Sequence, residues 1–335
     1  MAQACIFGLQ GPTLSRLERA FFRDVDPWGF ILFKRNIETP DQVRALTASL
    51  RDLMGRDVPI LVDQEGGRVQ RLGPPHWRLY PPGRAYGELR TNDPLYKREF
   101  ARLGGRLLAH DLREVGITVD CAPVLDVPTP GSHDVIGNRA YGEDASTVAM
   151  LGRAMAEGLI AGGVLPVIKH IPGHGRAAAD SHLSLPIVEA WFDDLDGQDF
   201  APFRVLSDMP MGMTAHVVYT AIDRTGPATT SKKVVRNIIR KSIGFGGLLL
   251  TDDLSMKALG GSFADRTAKA LAAACDVALH CNGDMAEMKQ VAKGAKPLRG
   301  RAKRRADVAL ARIAKVPEPF DVFEGWARFE AALHG

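Results

Sequence analysis

The stretch Val164-Leu165-Pro166-Val167-Ile168-Lys169-His170-Ile171-Pro172-Gly173-His174-Gly175 joins two kinds of sequence without a spacer. Residues 164–168 form an apolar run of the length and composition of a buried strand. From Lys169 onward the chain packs a lysine, two histidines and two glycines together, and Asp180-Ser181-His182 follows soon after. A polar cluster thus sits where a strand ends and a flexible loop begins. Asp180 and His182 are two apart, so extended backbone would place them on one side. A carboxylate beside a histidine orients the ring and raises its basicity. The loop reads as a mobile acid/base device, with Gly173 and Gly175 supplying backbone freedom.

Runs of the same kind recur on either side, at 4–8, 29–33, 60–62, 118–122, 212–215, 247–250 and 277–280. Their aliphatic content suits strands buried on both faces, as parallel strands are. Amphipathic stretches separate them. Val43, Leu46, Leu50 and Leu53 step by three and four along one helical face, as do Phe100, Leu103 and Leu107. Val234, Ile238 and Ile239 follow a candidate cap at Ser231. Eight such units predict a (β/α)8 TIM barrel, somewhat irregular in its first strands. Polar residues follow the strands: Asp63, Gln64 and Glu65; Pro123 and Asp126; Lys169 and His170; His216; Asp252 and Asp253. Barrel enzymes carry their chemistry at that end of the strands. One explanation covers five clusters. No linker or low-complexity segment interrupts the chain, so residues 1–335 read as one barrel domain, with 317–335 a closing helix and tail.

The 335 residues are 45% hydrophobic and 24% charged, with a formal charge of +4. That balance is ordinary for a globular protein and gives no case for nucleic acid. The basic run at Arg299, Arg301, Lys303, Arg304 and Arg305 reads as the solvated face of a late helix. Cys5, Cys121, Cys275 and Cys281 are scattered, three of them in apolar runs, without metal-ligand spacing, which suggests buried thiols in a reducing compartment. No export signal or apolar run of about 20 residues is present, so a soluble, cytoplasmic protein with no membrane association is expected. No repeated exposed apolar face stands out, and a monomer is expected.

Four motifs carry a family resemblance: residues 29–36 (GFILFKRN), 62–71 (VDQEGGRVQR), the 169–175 run with Asp180-Ser181-His182, and 251–256 (TDDLSM). The chain resembles family 3 glycoside hydrolases, in the bacterial β-N-acetylglucosaminidase branch. The resemblance covers nearly the whole chain. The Lys-His doublet belongs to the wider family; Pro-Gly-His-Gly with Asp-x-His points to the branch. It implies hydrolysis of terminal β-linked N-acetylglucosamine with retention. The short cytoplasmic form acts on peptidoglycan-recycling fragments, N-acetylglucosaminyl-1,6-anhydro-muropeptides, so a small-molecule carbohydrate partner is implied, with no cofactor and no metal. Thr251 stands where serine is common, a mild departure.

Retention needs a nucleophile. Asp252, just past its strand, is expected to fill that role, while Asp253 should point away and support the backbone. His182 is the expected acid/base, oriented by Asp180, since no second carboxylate follows the fifth strand. Lys169, His170, Asp63, Arg71 and Arg139 are expected to hold the sugar. Glu65 reads as a structural acceptor, and His174 and His216 as structural histidines at least as well as ligand-binding ones. Three rivals differ in kind. A zinc hydrolase would use His170 and His174, but Pro172 and Gly173 between them oppose helical convergence. Phosphorolysis would exploit a histidine that does not repel phosphate. A dead sugar-binding barrel would retain the pocket without turnover.

Overall fold

In the computed structural model, which describes residues 1–313 and 316–334, the eight apolar runs become eight strands. They are β1 (Gln3–Gly8), β2 (Pro27–Leu32), β3 (Ile60–Val62), β4 (Val119–Asp120), β5 (Leu165–Ile171), β6 (Met211–Thr214), β7 (Leu248–Asp253) and β8 (Val277–His280). Each pairs in parallel with its chain neighbours, and β1 pairs with β8 to close the barrel. The register of β1 against β2 shifts between Gln3 and Ile6, and comparable shifts occur in β5–β6 and β7–β8.

Alternation along the strands builds two cores. Ile6, Ile31, Leu61, Val119, Leu165, Val167, Met211, Met213, Leu248, Leu250, Val277 and Leu279 form one cluster, inside the barrel. Phe7, Phe30, Leu32, Ile60, Val62, Ile168 and Leu249 belong to the other, between strands and helices. Continuing the inward parity reaches Asp63 just past β3 from Leu61, and Lys169 and Asp252 within the last residues of β5 and β7 from Val167 and Leu250. Side-chain parity therefore delivers these three polar groups to one mouth of the barrel.

The helices form where periodicity predicts. α1 (Arg16–Val25) opens on a capping box between Ser15 and Glu18. α2 (Pro40–Met54) buries Val43, Leu46 and Leu50, with Thr39 as its cap. α3 (Pro94–Glu114) and α4 (Ala145–Ala161) follow β3 and β4. Short α5 (Ala201–Val205) follows β5. α6 (Val234–Ser242) is π-wound, and the Ser231 hydroxyl accepts from the Val234 N–H at 3.1 Å, as a cap should. α7 (Phe263–Ala272) and α8 (Met285–Gly294) complete the ring. α9 (Gly300–Leu310) stops the opposite mouth, where Leu298, Ala306 and Ala309 join the inner cluster. The basic run does lie on this helix, but Arg305 is not simply solvated: its guanidinium meets Asp276 at 2.9 Å. α10 (Val322–His334) occupies most of the expected tail, Gly335 lying outside the described residues. It packs Phe329 flat on Phe100, ring centres 4.5 Å apart. Among the described residues, no helix is long and apolar enough to cross a membrane. All four cysteines are free and buried.

Candidate active site

The mouth lined by β-strand C-termini holds an open cavity of about 180 Å³, on the scale of a single sugar ring. Asp63, Arg71, Arg139, Lys169, His170, His182 and Asp252 all line it, and Asp180 stands behind His182. The structure thus gathers every candidate named from sequence around one space.

On one side is a network of fixed charges. The Lys169 ammonium lies 3.0 Å from Asp63 Oδ1 and 2.6 Å from Glu65 Oε1. Arg71 Nη2 donates to Asp63 Oδ2 at 2.8 Å. Arg71 arrives there because Gln64 pins the hairpin that follows β3, Gln64–Gly66 paired antiparallel with Val69–Gln70: the Gln64 side-chain oxygen accepts from the N–H groups of Arg71 and Leu72, both at 3.0 Å. Arg139 grips Glu65 with two 2.8 Å bonds from Nε and Nη2. Burial alone would raise the pKa of Asp63, but Lys169 and Arg71 outweigh it and hold the carboxyl well below the usual range. Burial would likewise raise Glu65, yet Arg139 and Lys169 bring it down to about 2. Burial opposes the charge on Lys169, and Asp63 and Glu65 reverse that, raising its pKa. These groups are ionised and hold one another in place. Glu65 is the structural acceptor expected, and it also reaches the cavity wall.

At the floor, His170 has a partner that its neighbours in sequence do not reveal, Asp126. This fully buried carboxylate takes the His170 ring at 2.7 Å through Nδ1, and accepts the backbone N–H of His170 at 3.2 Å and of His174 at 2.6 Å. Burial would raise Asp126, but His170 and His174 lower it to about 2. Asp126 was visible as a polar residue after the fourth strand, yet nothing in its local sequence shows that it faces β5. Strand parity points His170 outward; the register of β5 against β6 shifts between Lys169 and Ile171, so His170 turns to the cavity as well. The Lys169–His170 peptide bond is cis.

Across the cavity is Asp252, half-buried, its Oδ1 accepting the Asp253 N–H at 2.8 Å. Burial pushes its pKa up, but His170 and His216 more than compensate, so it is lowered overall and ionised at neutral pH. Asp253 is occupied elsewhere: Oδ1 accepts from Ser255 N–H at 3.0 Å and Cys281 N–H at 3.1 Å. His216 is buried and satisfied, between the Thr229 hydroxyl at 2.7 Å and the Asp253 carbonyl at 3.0 Å.

His182 sits on the outer lip, its side chain 64% exposed, with Nδ1 2.8 Å from Asp180 Oδ1. Two expectations about this loop need correction. Asp180 and His182 meet through a turn rather than an extended backbone: Asp180 Oδ1 also accepts the His182 N–H at 2.9 Å, and the Asp180 carbonyl accepts from Leu183. Nor do Gly173 and Gly175 give the loop freedom. β5 runs on through Ile171, and residues 169–175 are all buried. A Cβ on Gly175 would lie 1.9 Å from the Val127 carbonyl oxygen, and one on Gly173 would lie 3.0 Å from Asp199. The glycines permit close packing there. The exposed part of the loop begins only near Ala178. Among the described residues, no three His, Cys, Asp or Glu side chains converge as a metal would need.

Comparison with known proteins agrees with this fold. The family described as glycosyl hydrolase family 3 N terminal domain matches residues 16–316. A β-hexosaminidase of Nitrosomonas eutropha is 40% identical over 278 residues, 82% of this chain and 79% of that protein. NagZ from Neisseria gonorrhoeae, solved with N-trifluoroacetyl-D-glucosamine, is 32% identical with a TM-score of 0.85, covering 99% of this chain and 96% of its own. A family 3 β-N-acetylglucosaminidase from a Paenibacillus species has a TM-score of 0.87 at 28% identity; the alignment covers 98% of this chain and 66% of that longer protein. With a family model over most of its length and a relative 40% identical, the chain is a glycoside hydrolase and belongs to glycosyl hydrolase family 3.

Proposed function

We propose that this family 3 enzyme, a β-N-acetylhexosaminidase, removes terminal β-linked N-acetylglucosamine with retention of configuration. One observation carries the reading: ionised Asp252 and the Asp180-held imidazole of His182 line the same cavity. Asp63, Arg71, Lys169 and His170 hold the hydroxyls of the non-reducing sugar, which makes the action exo, and Arg139 holds the Glu65 end of that grip. Asp252 attacks the anomeric carbon as His182 gives its proton to the departing oxygen. The C–O bond breaks with its electrons on the leaving sugar, and a glycosyl ester forms on Asp252. His182, now neutral, takes a proton from water, which releases the sugar from Asp252. Asp180 stabilises the imidazolium and fixes the ring. The relative bound to N-trifluoroacetyl-D-glucosamine supports the sugar class.

The substrate is an N-acetylglucosaminyl-1,6-anhydro-muropeptide of peptidoglycan recycling, and the protein works as a cytoplasmic, single-domain monomer. The branch motifs support the substrate, the nearly full-length match to NagZ supports the single domain, and four free buried cysteines support a reducing compartment. Trapping with a fluorinated sugar, then mass spectrometry of the labelled peptide, tests the core of the reading. Label on Asp252 and a β-configured product are expected; an α-configured product overturns it.

A further inference from the structure

We propose that Ser181 is the latch of the acid/base flap, holding the His182 imidazole in the cavity through its hydroxyl on His174 and its carbonyl on Ala258. The inference rests on His182 being the acid/base. Ser181 is 3% exposed, although Asp180 and His182 on either side reach solvent. A buried hydroxyl in an exposed segment needs a partner. Ser181 Oγ lies 3.2 Å from His174 Nε2, and the Ser181 carbonyl accepts from the Ala258 N–H at 3.2 Å.

Both anchors are firm. The His174 backbone N–H is held by Asp126 at 2.6 Å, and its ring is buried with Nδ1 unpartnered. An orphaned acceptor costs less than an orphaned donor, so the ring proton belongs on Nε2, donated to Ser181. Burial brings the His174 pKa down to about 4, so the ring stays neutral in that tautomer at working pH. Ala258 follows the segment bearing Asp252, so the carbonyl link ties the flap to the nucleophile's own loop. The flap is otherwise tethered at its edges, where the Ala177 carbonyl accepts from His133 and the Pro186 carbonyl from Val218. The backbone bonds of Leu183 and Ser184 return to Asp180 inside the flap. Among the described residues, Ser181 alone ties 178–185 to the rest of the protein by hydrogen bonds. Ser181 is thus a positioning residue acting through His182.

The test compares Ser181→Ala, Ser181→Cys and His182→Ala with the parent on two substrates. One is 4-nitrophenyl N-acetyl-β-glucosaminide, whose leaving group needs no proton; the other is N,N′-diacetylchitobiose, whose leaving sugar does. Ser181→Ala should lower kcat/KM on the disaccharide about tenfold and leave the nitrophenyl substrate within about twofold. Ser181→Cys, similar in shape but a weak acceptor, should fall between, and it serves if the alanine variant does not fold. Equal loss on both substrates, or none, overturns the latch. A His182→Ala variant without leaving-group selectivity instead overturns the acid/base assignment, and the latch with it.

Discussion

Asp252 and Asp253 are neighbours with different duties, and the difference comes from what each carboxylate is already bonded to. Asp253 spends its oxygens on Ser255 and Cys281, whereas Asp252 accepts one backbone N–H and keeps its other oxygen for the cavity. Asp252→Ala should lower kcat by at least about 10³-fold, with the melting temperature near that of the parent. Asp253→Ala should instead cost about 1–3 kcal/mol in denaturant unfolding, because buried donors lose their acceptor. His182→Ala should slow poor leaving groups by about 10²–10⁴ and spare good ones, read as a leaving-group series in kcat/KM. His174 gives a pH signature. Burial brings it from its ordinary 6.5 to about 4, so between those values the unfolded chain takes a proton that the native ring refuses. Its contribution is complete above pH 6.5 and is lost as pH falls toward 4. Asp199, raised by burial to about 6, works in the opposite sense over nearly the same window. The clean measurement is therefore a difference: acidified from pH 6.5 to 4.5, the parent should lose more stability than His174→Asn, by up to about 3 kcal/mol.

The element that matters most is β5 with the loop it feeds. Apolar runs and their spacing made all eight strands legible, because burial on both faces leaves a strand few polar options. Their place at the ends of apolar runs likewise made Asp63, Lys169 and Asp252 legible. Less was readable where the chain leaves regular structure. The glycines of the loop resembled hinges, since a sequence does not reveal that the Val127 carbonyl lies against Gly175. Asp126 was unremarkable for the same reason: its three bonds all go to residues more than 40 positions away. Gly175→Ala tests the packing account. A Cβ at 1.9 Å from a backbone oxygen forces the strand-end to shift, so a loss of about 1–3 kcal/mol is expected in urea melts. A loop that needed only flexibility there would tolerate alanine.

Across the whole molecule, one feature far from the reacting atoms and one around them define the mouth. α10 seats Trp326 and Phe329 on Tyr80, Tyr86 and Phe100, beneath the segment that follows the β3 hairpin. Phe329 is fully buried, and Phe329→Ala should cost about 3–5 kcal/mol, measured as a shift in urea midpoint with turnover otherwise retained. The second feature is the cavity lining. Arg71, Arg139 and Lys169 face Asp63, Glu65, Asp252 and Asp253, so three fixed cations meet four carboxylates before the histidines are counted. An uncharged sugar entering so nearly neutral a basin gains little from long-range attraction, and its KM should barely respond to ionic strength. The surplus anion becomes useful only as positive charge gathers at the anomeric centre. A ring-nitrogen sugar mimic should accordingly be retained more tightly in its protonated form than as an uncharged isostere.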